Sequence, residues 1–263
     1  MSEFSKSQLD RLGSRLRKTD RASPEDTALY FDYRDEFTES LEEVKQRLAQ
    51  FFPGSLPSGR RKTLDSVVAK MQRQRTRLST MQDIVGCRIV VPGLAEQDDA
   101  VSQIGADFDV LRTDDLRDTP HTGYRAVHAI VSASNKRQVE IQVRKDLQDL
   151  HAQMVEKMAD RILLGIKYGH GPAKAIQLAV RLGDLAARLD SGKSEIALLE
   201  RRLEEASQSL EAEGTQAQRP EREALLASVQ SVVRKSRAKI TENDDDYRTF
   251  VSEILTLMNA SNA

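Results

Sequence analysis

"DIVGCRIVVPG", residues 83–93, is a short, nearly continuous apolar run stopped by Pro92-Gly93. A run of this length with a turn dipeptide at its end reads as a buried strand. A buried strand needs neighbours, and two follow it. "YRAVHAIVSA" at 124–133 reads as a second strand and "RQVEIQVRK" at 137–145 as a third. In the third, alternation puts Val139, Ile141 and Val143 on one face and Glu140, Gln142 and Arg144 on the other. "TLDSVVAKMQRQ" at 63–74 is helical, with Leu64, Val67, Val68 and Met71 at core spacing. Further helices are expected over "AEQDDAVSQIGADF" and "DLQDLHAQMVEKMADRILLGI", residues 95–108 and 146–166. Residues 60–170 are therefore expected to form a mixed sheet with covering helices.

The flanks read as helical. Residues 5–17 predict a short basic helix with Leu9, Leu12 and Leu16 on one side. Residues 21–52 predict one helix, which Ser23 can cap, with Pro24 at the first position and Glu25 and Asp26 at the positive end of the dipole. Pro53, Gly54, Pro57 and Gly59 break the chain. Beyond "KYGHGP", Ile196, Leu199, Leu203, Ala206 and Leu210 repeat at alternating steps of three and four, a coiled-coil seam. A loop at "EGTQAQRP" and a second stripe through Leu225, Val229 and Val232 complete an antiparallel helical hairpin. A last helix is expected after an acidic turn, "ENDDD". The fold class is α+β, with a C-terminal coiled-coil-like helical extension, and the divisions fall at 1–54, 55–172 and 173–263.

Composition narrows function mainly by exclusion. The 40 basic and 41 acidic residues leave a formal charge of −1, so the global balance points to neither nucleic acid nor membrane. The single Cys87 excludes an internal disulfide and a cysteine-based metal cluster. The polar start "MSEFSKSQLD" and the lack of a long apolar run suggest no signal peptide, no membrane span and a cytoplasmic location.

Four local constellations can carry chemistry, and each has a plainer alternative. "GRRKTLDSVVAKMQRQRTR", residues 59–77, holds seven basic positions against one acid, Asp65. Spaced Arg and Lys suit a polyphosphate, with Lys70 and Arg73 sharing a helical face with Ser66; the alternative is a solvated basic face. Asp83 at a strand entrance can hold Mg²⁺ on a triphosphate, or serve as a strand-end cap. Arg88 interrupts an apolar run and needs an anionic partner, structural or phosphate. The row Glu140, Gln142, Arg144 is either a wet sheet face or the floor of a site, with Glu140 as base or metal ligand. In "PHTGYRAVHAIV", residues 120–131, Tyr124 and His128 are four apart and would share a strand face. There they can stack on a base and meet a phosphate or ribose, or pack as a core Tyr and a satisfied His.

Together, "RRKTLDSVVAKMQRQ", "MQDIVGCRIVV", "TGYRAVH" and "VEIQVR" resemble the RelA/SpoT nucleotidyltransferase domain of the alarmone synthetases, over roughly residues 55–170. The type resembled is the small stand-alone synthetase. The resemblance implies a nucleotidyltransferase-like mixed sheet. It implies transfer of the β,γ-pyrophosphate of ATP to the 3′-hydroxyl of GTP or GDP, with Mg²⁺, making (p)ppGpp and releasing AMP. It gives Arg60, Lys62, Ser66, Lys70, Arg73 and Arg88 to ATP, and Asp83 and Glu140 to catalysis and metal. Tyr124, His128, Gln142 and Arg144 go to the acceptor. It also implies a homo-oligomer. The family often has a Lys before the Gly-Tyr pair, where this chain reads "TPHTGY"; His121, Arg112 or Arg117 would have to substitute. The family often has a Trp where this chain has His151, and the His-Asp dipeptide of the hydrolase domain is absent from the sequence. The competing readings are a toxin-type relative acting on adenine nucleotides or on the 3′ end of tRNA, and a nucleotide sensor with a partner-binding tail.

Overall fold

The computed structural model describes residues 4–18, 22–161, 169–212 and 219–260. The chain divides into two compact units, Met1–Asp118 with Ala126–Lys145, and Thr119–Arg125 with Asp146–Ala263.

The first unit begins with α1 (Lys6–Lys18), α2 (Pro24–Asp35) and α3 (Thr38–Phe51). Leu9, Leu12 and Leu16 form the buried side of α1, as their spacing requires. Ser23 caps α2, its hydroxyl accepting from the Asp26 amide at 3.1 Å. The single helix expected over 21–52 is two, and the break has a packing cause. Phe37 turns inward to meet Tyr33 edge-on at 5.3 Å, beneath the Arg137 guanidinium, while Glu36 pairs with Arg137.

Five strands follow: β1 (Ser58–Arg61), β2 (Val85–Val91), β3 (Asp109–Asp115), β4 (Val127–Ser132) and β5 (Gln138–Lys145). Their order is β1-β2-β5-β4-β3, with β2 and β5 parallel and the other pairs antiparallel. The sheet is mixed, as expected; the edge strands β1 and β3 add to the three that the sequence pattern predicts. α4 (Leu64–Gln74) follows β1, and α5 (Leu94–Asp107) lies between β2 and β3. One face of the sheet, including Cys87, Ile89, Val131, Val139, Ile141 and Val143, is buried in the main core. Burial pushes the Cys87 thiol up to about 12, so it stays an inert apolar side chain.

The second unit holds α6 (Asp146–Arg161), α7 (Ala173–Ala212) and α8 (Arg219–Ala260), with a core that includes Leu147, Met154, Leu182, Leu189 and Val251. α7 and α8 run antiparallel, with Lys193 paired to Asp244 and Glu200 to Arg237. The hairpin is as expected, but "ENDDD" is helical, not a turn. Asp244 stays in α8 because Lys193 meets it at 2.8 Å and Arg248 at 2.9 Å. Along the expected seam Ile196 is buried, while Leu199 is 43% exposed. The side chains of Ala206, Leu210 and Leu225 lie outside the described ones, as do residues 162–166 of the expected sixth helix and 213–218 of the expected loop. Among the described residues, no helix is long and apolar enough to cross a membrane.

Burial alone would raise the Asp244 carboxyl, but Lys193 and Arg248 hold it below its ordinary 3.8. A depressed folded pKa gives stability that is present above the unfolded pKa and lost as pH falls from there through the folded one. Thermal melts of wild type should therefore drop between about pH 5 and 3, and Asp244→Asn should flatten part of that acid limb.

Candidate functional site

The second face of the sheet is polar, and register lines it up. One row across the strands is Arg60, Gly86, Glu140, Ile130 and Arg112; the next is Ser58, Arg88, Gln142, His128 and Asp114. Paired residues in neighbouring strands point to the same side. Glu140 thus sits at the middle of the sheet, on the face away from the main core.

Side chains then connect along this face. Arg144 donates to Gln142 Oε1 at 2.7 Å, and Gln142 Nε2 donates to Glu140 Oε2 at 2.6 Å. His128 Nδ1 stands 3.2 Å from Glu140 Oε1. Both carboxylate oxygens of Glu140 are thus held. Burial would raise this carboxyl, but the His128 imidazole, the charge of Lys62 and the Gln142 amide hold it down at about 2. Such a group is ionised throughout the physiological range. An ionised carboxylate in this place can accept a proton, orient a donor or hold a cation. The family resemblance assigns His128, Gln142 and Arg144 to an acceptor; in the structure His128 and Gln142 contact Glu140, and Arg144 contacts Gln142. Alternation does place Glu140, Gln142 and Arg144 together, but the His128 contact depends on the β4–β5 register.

Gly86 makes room for this arrangement. A Cβ there would lie 2.9 Å from the Glu140 carbonyl oxygen and 3.3 Å from Glu140 Cβ.

A second carboxylate lies just before β2. Asp83 Oδ2 receives both the Lys62 ammonium and, at 2.6 Å, the Lys70 ammonium. Burial opposes its ionisation, but the two lysines outweigh that and hold the carboxyl below its ordinary value. Asp83 Oδ1 is buried without a hydrogen-bond partner among the described residues. Lys62 is fixed through its backbone: its carbonyl accepts from the Tyr30 hydroxyl at 2.7 Å, and its amide donates to the Ile84 carbonyl at 3.0 Å. Tyr30 is not legible as a site residue in the sequence, because it sits on a helix remote in the chain and its partner is a main-chain oxygen. Thr63 caps α4 by accepting from the Ser66 amide at 3.3 Å. From that start, Ser66, Lys70 and Arg73 share one helical face at steps of four and three.

All of these residues belong to the first unit. Tyr124 does not, and the expectation that it shares a strand face with His128 is corrected. The ladder starts at Val127. Thr122 at φ 54° and Gly123 at φ 78° turn the chain, and Tyr124 donates its amide to the His121 carbonyl at 2.9 Å. Of the substitutes for the missing Lys, Arg117 is held by Asp98 and Asp115 and Arg112 by Asp114, at 2.6–2.7 Å.

Residues 59–159 match a family model described as the region found in RelA / SpoT proteins. Two uncharacterized proteins, Mb1401 of Mycobacterium bovis and Rv1366 of Mycobacterium tuberculosis, are each 36% identical over 151 residues. That span is 55% of this chain and 55% of each relative, so the chain spans about half the length of the curated relatives it matches. Among solved structures, small alarmone synthetase 1 from Bacillus subtilis, bound to its product pppGpp, is 22% identical with a TM-score of 0.56. The match covers 66% of this chain and 99% of that one. A GTP pyrophosphokinase family protein from Streptococcus pneumoniae is 19% identical with a TM-score of 0.54, over 66% and 94% of the two chains. These structures share the fold.

Gly86→Val should force Glu140 and its strand apart, lowering stability by about 1–3 kcal/mol in denaturant titrations. A loss within error would mean that β2 and β5 can separate without cost.

Proposed function

We propose that this chain, whose residues 59–159 match the RelA / SpoT family model, transfers the β,γ-pyrophosphate of ATP to the 3′-hydroxyl of GTP or GDP. The observation that carries this is the pair of part-buried carboxylates, Asp83 and Glu140, with Lys62 acting electrostatically on both. Arg60, Lys62, Ser66, Lys70, Arg73 and Arg88 bind the donor triphosphate and adenosine. Tyr124 stacks on the acceptor base. His128, Gln142 and Arg144 bind the acceptor, and His128 and Gln142 also keep Glu140 ionised.

In the reaction the 3′-oxygen attacks the β-phosphorus, the bond from that phosphorus to the α,β-bridging oxygen breaks, and AMP leaves. The hydroxyl hydrogen bonds to Glu140 and its proton passes to solvent as the new bond forms. The bridging oxygen leaves as part of the AMP phosphate, its charge met by the basic face of α4. The work asked of the protein is alignment and charge neutralisation. The buried, unpartnered Oδ1 of Asp83 and the ionised Glu140 are hard oxygen donors that fit Mg²⁺. When bound, Mg²⁺ supplies charge neutralisation on the triphosphate. The three-part division at 54/55 and 172/173, with residues 55–172 as the synthetase part, and the homo-oligomer belong to the same proposal.

The test is transfer of label from γ-labelled ATP with Mg²⁺ and, in separate tubes, GTP, GDP, no further acceptor, or bulk tRNA. Label on GTP or GDP with AMP released is the expected result. Label on tRNA or on adenine nucleotide would move the protein to the toxin-type reading. Asp83→Asn and Glu140→Gln should each lower turnover by about 10²-fold or more while circular dichroism stays native; near-normal activity in either would sink the catalytic roles of these two carboxylates.

A further inference from the structure

The turn that carries Tyr124 packs with the C-terminal helices. Residues Thr119–Arg125 cluster with α6, α7 and α8. The contact is backbone to backbone: a Cβ at Gly183 would lie 2.5 Å from the Gly123 carbonyl oxygen and 2.6 Å from its Cα. From the other side, a Cβ at Gly123 would lie 2.9 Å from the Ala179 carbonyl and 3.2 Å from His151 Nε2. His151 Nε2 is itself 2.8 Å from the Ala179 carbonyl, which ties α6 to α7 at this point. Arg125 then closes the contact. Its guanidinium donates to the carbonyls of Gly123 and Gly183 at 3.2 and 3.0 Å, and to Asp184 Oδ1 at 3.0 Å.

Two glycines are needed for two reasons. Gly123 sits at φ 78°, which side-chain-bearing residues rarely adopt, and Gly183 must admit a main chain against a helix. A turn held only by its neighbours in sequence would sample many conformations. One clamped at Gly123 and Arg125 leaves the intervening Tyr124 little freedom.

Resting on the acceptor role proposed for Tyr124, we infer that Gly183 and Asp184 of α7, with Arg125 and His151, are positioning residues for the acceptor base. The segment of α7 around Gly183 and Asp184 thus belongs to the acceptor-binding machinery through the turn it holds. The clamp sets affinity for the purine acceptor and leaves ATP binding alone.

The experiment uses the full chain. It has no Trp, so Tyr124→Trp makes the turn a unique fluorophore. In that background, Gly183→Ala should make the indole more open to acrylamide quenching, and Asp184→Asn should do so to a smaller degree. In the Tyr124 protein, Gly183→Ala should raise KM for the acceptor about tenfold or more through misplacement. Asp184→Asn should raise it about threefold, because the Arg125–Asp184 pair is partly exposed. KM for ATP should stay within about twofold, and Asp184→Glu should restore most of the loss. Should Gly183→Ala fail to fold, Asp184→Asn decides alone. Unchanged quenching overturns the clamp, whatever the activity. Raised quenching with an unchanged acceptor KM overturns its role in binding. A parent protein inactive with every acceptor overturns the synthetase reading instead, and quenching still decides the clamp.

Discussion

The parallel pairing of β2 with β5 is the constraint on which the site depends. It sets Gly86 beside Glu140 and Arg88 beside Gln142. On the core side it sets Cys87 beside Ile141 and Ile89 beside Val143. A slip of one residue would send Glu140 into an apolar core and a valine onto the polar face. The apolar side therefore enforces the geometry of the polar side. Burial of Ile141 and Val143, each worth about 1.5–3 kcal/mol, keeps a carboxylate where water alone would not hold it.

Charge compensation is the second requirement, and it is met locally. Glu140 is answered by His128, Gln142 and Lys62; Asp83 by Lys62 and Lys70. Lys62 takes part in both, which explains why its backbone is fastened by Tyr30 and by Ile84. A side chain between two buried anions must start from a fixed point to serve both.

Much of this is legible in the sequence. β2 and β5 declare themselves by an apolar run and by strict alternation, because each buries at least one face. The edge strands do not. β1 is exposed at every position, and β3 carries Asp109, Arg112, Thr113, Asp114 and Asp115, so neither shows an apolar period. The break at Glu36–Phe37 is hidden because it depends on Arg137, about a hundred residues away. The helical state of "ENDDD" is hidden for the same reason, since Lys193 lies on the opposite helix. In the site, residue types and their faces are readable, as α4 and β5 show. Partners are not: the Lys62–Asp83–Lys70 cluster and the His128–Glu140 contact follow from register and from loop closure. Tyr124 falls outside the pattern because alternation cannot be extended past the true start of β4 at Val127.

The double grip on Asp83 bears on what can enter. Lys62 and Lys70 share one carboxylate, so an arriving phosphate that drew both lysines to itself would leave Asp83 without its cationic partners. On the proposed function, an anion that brought its own cation would avoid that loss, because Asp83 would keep a positive partner. On that reading, a nucleotide that arrives with its cation would be favoured over inorganic phosphate or metal-free nucleotide. Discrimination of that kind requires no steric gate, only a carboxylate that is never left alone.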